Sequence, residues 1–261
     1  ADFLHQTQLS IQMPERDSFW SVHIAISDAD ENQFKGESIQ RSLIEWAYSG
    51  NLDNAEPERI RLCAIVLMWM NSTSNRKVRD QATKALVRML SLFADLLLPL
   101  MEQFCDIDDL YIVERLYAVA YGVVANINDR NIVISIVNFT YNKLFANGHP
   151  TPHLLLRDYA SSIMELAEHR NMMSAHILPT CFRPPYKSQW PLEYPSENEL
   201  AKFKEGDFPS EIVNSLLGFP GDFGNYTMSV IHEWSSTPLE VGVPQTAYEL
   251  KLNFAHQLSS D

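Results

Sequence analysis

The sequence predicts an all-α chain: a solenoid of antiparallel helix hairpins over residues 1–178, followed by an irregular proline- and aromatic-rich segment over 179–261. Three observations predict it. Proline is segregated, with only Pro14, Pro57 and Pro99 before residue 150 and the other eleven from Pro150 onward. A proline inside a helix removes an amide donor and collides with the preceding turn, so the front of the chain alone has room for long helices. Amphipathic segments with recognisable start and stop residues follow one another there, joined by short loops. Finally, one of these segments has a counterpart further along the chain.

In chain order, Asp17 is expected to open a helix over SFWSVHIAIS. ESIQRSLIEWAYSG runs from Glu37 to Gly50, with Gly50 as its stop. Asn54 leads into a segment with Pro57 in the first turn and an apolar face from Ile60 to Met70. Asn75 is placed to cap KVRDQATKALVRMLS. Asp108 or Asp109 caps LYIVERLYAVAYGVVAN, Asp129 caps RNIVISIVNFTYNKLFA, and Thr151 with Pro152 starts HLLLRDYASSIMELAEHR. Short loops make neighbours antiparallel. In the C-terminal segment, Ser196 and Glu199 form a capping box for ENELAKFKEG, and SEIVNSLLG and 223–234 are two further short helices. The many aromatic residues there suggest a tail strapped against the end of the solenoid.

Val78-Arg-Asp-Gln-Ala82-Thr-Lys-Ala85-Leu86 aligns with Leu156-Arg-Asp-Tyr-Ala160-Ser-Ser-Ile163-Met164. The apolar residue, the Arg-Asp pair and an alanine coincide, and Val113-Glu-Arg-Leu-Tyr117-Ala-Val-Ala120-Tyr121 fits more loosely. Start points at 78, 113 and 156 lie 35 and 43 residues apart, which suits hairpin repeats of the HEAT or armadillo kind. V-R-x-x-A-x-x-A-L is close to the inner-helix pattern of HEAT repeats. Its alanines let adjacent helices approach, and its Arg-Asp pair can bridge neighbouring repeats.

Composition narrows the function. The chain has 46% hydrophobic and 20% charged residues, ordinary for a globular protein, and only 9 glycines in 261 residues. Glycine-dependent nucleotide-binding folds are therefore poor candidates. A formal charge of −13 repels phosphate backbones and anionic lipid, so neither nucleic acid nor a membrane is expected as a partner. Cys63, Cys105 and Cys181 are widely spaced and odd in number, which argues for free thiols in a reducing cytoplasm. ADFLHQTQLS lacks the features of a secretory leader, and the longest apolar runs are about half a membrane span.

No catalytic, cofactor or metal constellation stands out. His149 and His153 have the four-residue spacing of a helical zinc pair, but Pro150 and Pro152 forbid a helix through both. His169 and His176 flank a helix end and read as solvent-facing. Asp222-Phe-Gly224 spells a kinase triplet without the lysine or catalytic loop that gives it meaning. No Walker A or nucleophile elbow occurs. Glu114, Arg115, Tyr117 and Tyr121 place polar groups on an otherwise apolar helix, with the two tyrosines in one i, i+4 stripe. Arg115 is expected to pair with an acid from the adjacent helix; the alternative is a peptide-binding groove lined by these four residues.

MPERDSFWS at 13–21, IRLCAIVLMWMNSTSNRKVRDQATKALVRML at 60–90, YIVERLYAVAYGVV at 111–124, LLLRDYASSIMELA at 154–167 and GDFGNYTMSVIHEWS at 221–235 together resemble the C-terminal helical-repeat region of large bacterial STAND-type ATPases. The resemblance implies a NACHT-like or AAA-like ATPase module N-terminal to this segment, and a role in antiphage defence. It implies a non-catalytic sensor or scaffold that binds a protein ligand such as a phage protein. Two other readings are a hydrolase or nuclease with Asp222, His232 and Glu233 beside Glu193 or Asp207, and a purely structural spacer.

Overall fold

A computed structural model of the chain describes residues 1–29, 38–184 and 186, which are helical with no strand among them. Contacts divide the chain into a unit of residues 1–188 and a unit of 189–261. The short helices expected near 196–234, the strapped tail and the Asp222–His232 constellation lie outside the described residues.

Helices α1 (Asp2–Leu9) and α2 (Met13–Arg16) open the chain. A wide π-helical turn at Asp17–Ser21 carries α2 into α3 (Val22–Ala29). Asp17 is therefore not a cap. Pro14 in the first turn has already set the helix, and Asp17 accepts the Ser21 hydroxyl at 2.7 Å from within it. Helix α4 (Ile39–Ser49) begins at Ser38, whose hydroxyl accepts the Arg41 amide; the expected start at Glu37 lies outside the described residues. Gly50 ends α4 with φ −68°, an extended rather than left-handed residue. Glycine is needed there for space, since a Cβ would lie 2.5 Å from the Trp46 carbonyl oxygen.

Next come α5 (Pro57–Met70), with Pro57 as its first residue, and α6 (Arg76–Leu92). Asn75 caps α6 by accepting the Lys77 amide at 3.0 Å and the Val78 amide at 3.4 Å. A single 3₁₀ turn leads into α7 (Leu97–Phe104), which carries Pro99 at its third position, where an amide has no helical acceptor anyway. Asp109 caps α8 (Leu110–Asn126), and Asp129 caps α9 (Arg130–Thr140), which continues into a π turn at Tyr141–Phe145. The last long helix, α10 (Leu154–His169), starts two residues later than Pro152. Its cap is His153, whose Nδ1 accepts the Leu156 amide at 3.3 Å. Thr151 serves instead through its carbonyl, which Arg157 approaches at 3.5 Å. The single turn α11 (Pro179–Phe182) then packs against the π turn after α9.

Packing follows sequence order. Helix α6 lies between α4 and α8, and α8 between α6 and α10. Behind them, α5 backs α6, α7 backs α8 and α9 backs α10. Ala82, Ala85, Ala120 and Ala160 are fully buried, as close helix packing requires. Gly122 on α8 sits so tightly on α6 that a Cβ would meet a methyl of Val87 at 2.6 Å.

Buried aromatic and polar side chains tie the N-terminal helices to this core. Trp69 is fully buried, donates its indole N–H to His5 Nδ1 at 3.1 Å, and packs with Phe104 at a ring separation of 5.5 Å. Arg16, only 1% exposed, lies over the Trp69 ring and donates to the carbonyls of Gln8 and Ile11 at 3.1 Å. It also pairs with Asp108 at 2.5 Å, so the two aspartates before α8 divide their work. Asp109 caps, and Asp108 holds Arg16 and the Met13 amide. No helix among the described residues is long and apolar enough to cross a membrane.

Candidate functional site

Helix α8 carries the polar cluster singled out in the sequence, and its burial decides what that cluster can do. Glu114 is 4% exposed and Tyr117 fully buried, while Tyr121 keeps 37% exposure. Two turns of one stripe thus run from the interior to the surface. The Tyr117 hydroxyl has no hydrogen-bond partner, and burial pushes its phenol well above the usual tyrosine range. A sealed, protonated phenol reaches no ligand. Arg115 is mostly buried and does pair with an acid of the adjacent helix: its guanidinium meets Asp80 of α6 at 2.9 Å.

The pair belongs to a longer alternation of charge. Arg76 Nε stands 3.5 Å from Asp80, Arg115 Nε is 3.4 Å from Glu114, and Glu114 faces His153 Nε2 at 3.7 Å. Cations and anions therefore alternate from α6 to α8, and the His153 imidazole beside Glu114 extends the set to the start of α10. Arg115 and Glu114 are the buried members, so taking away either one strands a buried charge at a cost of about 3–5 kcal/mol, whereas Arg76 and Asp80 are open to solvent. Glu114 and Arg115 thereby tie helices together, Tyr117 packs in the core, and of the four residues only Tyr121 presents substantial surface.

A matching set of contacts holds the opposite helix ends, and sequence reasoning missed it. Arg88 of α6 donates to the carbonyls of Ala47 and Gly50, at 3.0 and 2.8 Å, where α4 ends. Arg170 donates to Val124, Ala125 and Ile127, at 2.7, 2.9 and 3.1 Å, where α8 ends. Cations suit helix C-termini because the last carbonyls lack partners and carry partial negative charge. Since starts meet starts and ends meet ends, α4, α6, α8 and α10 run parallel. The two arginines of the aligned segments also behave alike. Arg79 donates to the Thr73 carbonyl and stacks on Tyr111 at 4.4 Å, and Arg157 reaches Thr151 and stacks on Tyr186 at 4.7 Å. Their aspartates diverge, for Asp158 is exposed and makes no ion pair among the described residues.

Between the ends of α4 and α8 lies an open groove of about 560 Å³. One stripe of α6 makes its floor, with Val87 and Leu92 as the apolar part. Thr83 and Ser91 are turned back onto carbonyls of their own helix, and Arg88 is committed to α4. Around this floor stand Tyr48, Asp53, Lys84 and Asn126, whose side chains make no hydrogen bond or ion pair among the described residues. Uncommitted polar groups converging on an apolar surface are the usual make-up of a binding site.

The remaining candidates are dispersed. His169 and His176 are exposed, as expected, with His176 edge-on to Tyr141 at 6.0 Å. Cys63, Cys105 and Cys181 are free and half-buried, and burial pushes the Cys63 and Cys105 thiols up, away from nucleophilic character. Among the described residues no three His, Cys, Asp or Glu side chains stand together as metal ligands. Compared with known protein families, curated proteins and solved structures, the chain matches none.

Proposed function

We propose that this chain is a non-catalytic, HEAT-like α-solenoid that binds a protein ligand, and that it serves as the sensor or scaffold region of a bacterial STAND-type ATPase in antiviral defence. The observation that carries the reading is the parallel row of α4, α6, α8 and α10, tied like end to like end by Asp80–Arg115, Glu114–His153, Arg88 and Arg170. Such a row presents successive helices on one extended surface, which is how stacked-hairpin proteins hold partners. The open groove supplies a place on that surface with free polar groups.

In this role a docked ligand shifts an attached ATPase module between closed and oligomerising states, in proportion to its difference in affinity for the two. The cytoplasm is the compartment that suits the free thiols and the ATPase. Isothermal titration against proteins that trigger the full-length ATPase tests the role. A saturable one-to-one heat supports it, and failure of every triggering protein to bind rejects it.

A further inference from the structure

We infer that the groove between α4 and α8 recognises a short extended segment of a partner protein that carries a single acidic side chain beside an apolar one. The inference rests on the protein-binding reading and names the chemistry of its ligand.

Lys84 and Arg88 are four residues apart on α6, so both border the same stretch of groove. They differ in what they have left to give. Arg88 has two donors fixed on the Ala47 and Gly50 carbonyls, and its charge is answered by the partial negative charge at the end of α4. Lys84 is exposed and pairs with nothing among the described residues, on a chain whose formal charge is −13. An ammonium group surrounded by so much acid elsewhere, yet without an acid of its own, is open to a carboxylate from outside.

Asp53 sets the limit. It lies on the loop that follows the Arg88-bound end of α4, also without an ion pair, and it repels a second carboxylate. The groove therefore suits one acidic side chain better than a polyanion. Val87 and Leu92, the latter 56% exposed, offer an apolar seat one to two turns beyond Lys84. Tyr48, 53% exposed, walls that seat with an aromatic ring. The Asn126 amide has a donor and an acceptor free for a peptide bond of the segment.

The test uses the intact chain, isotope-labelled for amide NMR, and two blocked hexapeptides of leucine and serine. One carries a single glutamate and the other glutamine in its place. The glutamate peptide should shift the amides of Lys84, Val87, Leu92 and Asn126 saturably and bind at least fivefold tighter than the glutamine peptide. In Lys84→Met that preference should fall to about onefold, with unchanged folding because the side chain is exposed and unpaired. Equal binding of both peptides by the wild type, or shifts confined to other residues, overturns the inference. A triggering protein that binds wild type and Lys84→Met equally overturns the groove as well, while leaving the protein-binding role of the array standing.

Discussion

Replacing Ala82 with leucine tests whether packing is local, as a stacked array demands. Ala82 is fully buried on α6, the helix that touches α4, α5 and α8. The leucine adds an isopropyl group at a position with no exposed surface, so the neighbouring helices must give way. Overpacking of this kind costs about 1–3 kcal/mol. For a unit of this size, about 2 kcal/mol corresponds to a fall in Tm of about 4–8 °C. In an array each hairpin couples mainly to its neighbours, so the damage should be confined. Hydrogen exchange, read amide by amide, should show lost protection in α4, α5, α6 and α8, with α10, two positions along the row, close to wild type. Protection lost evenly from α1 to α10 would mean one cooperative globular core, and the array account would be wrong.

Arg88→Met keeps the length of the side chain and removes both donors to the end of α4. It should cost about 1–2 kcal/mol, because water can replace part of the interaction at a half-exposed helix end. The urea midpoint should fall with an unchanged slope, and exchange should speed up first in the last turn of α4. Burial holds the His5 imidazole below its usual range, so the folded protein disfavours the charged form. The unfolded chain then takes up a proton at His5 that the folded one refuses. Stability from this group is complete above about pH 6.5 and is lost as pH falls toward the depressed folded value. His5→Phe should flatten that part of the stability profile, and an unchanged profile would show that His5 does not report the Trp69 contact.

The long helices and most of their caps were legible because they depend on neighbours in sequence, whereas α1, α7 and the single turn α11 were not expected. Asn75, Asp109 and Asp129 each lie two or three residues before the amides they accept, so a short polar residue ahead of an apolar run was enough. Asp17 was misread because Pro14 already supplies a start three residues earlier, and a wide turn then hides the polar residue inside the helix. Helix α1 has little amphipathic pattern; its place depends on His5 meeting Trp69, 64 residues away. The candidate site was legible only in part. Pairing of Arg115 with an acid on the next helix was legible because a charged residue on an otherwise apolar helix needs a partner, whereas the inward turn of Tyr117 depends on how α8 is rotated against its neighbours. The C-terminal roles of Arg88 and Arg170 join residues about 40 apart through backbone carbonyls, which carry no sequence signal. The groove is likewise a product of the ends of α4 and α8 and one face of α6 meeting in space.

The most direct test of the sensor role is the ATP hydrolysis rate of the full-length protein, measured with and without a triggering protein, before and after deletion of this helical region. The account predicts that stimulation by the trigger disappears with the region while basal hydrolysis persists. Full stimulation in the deletion variant would contradict it.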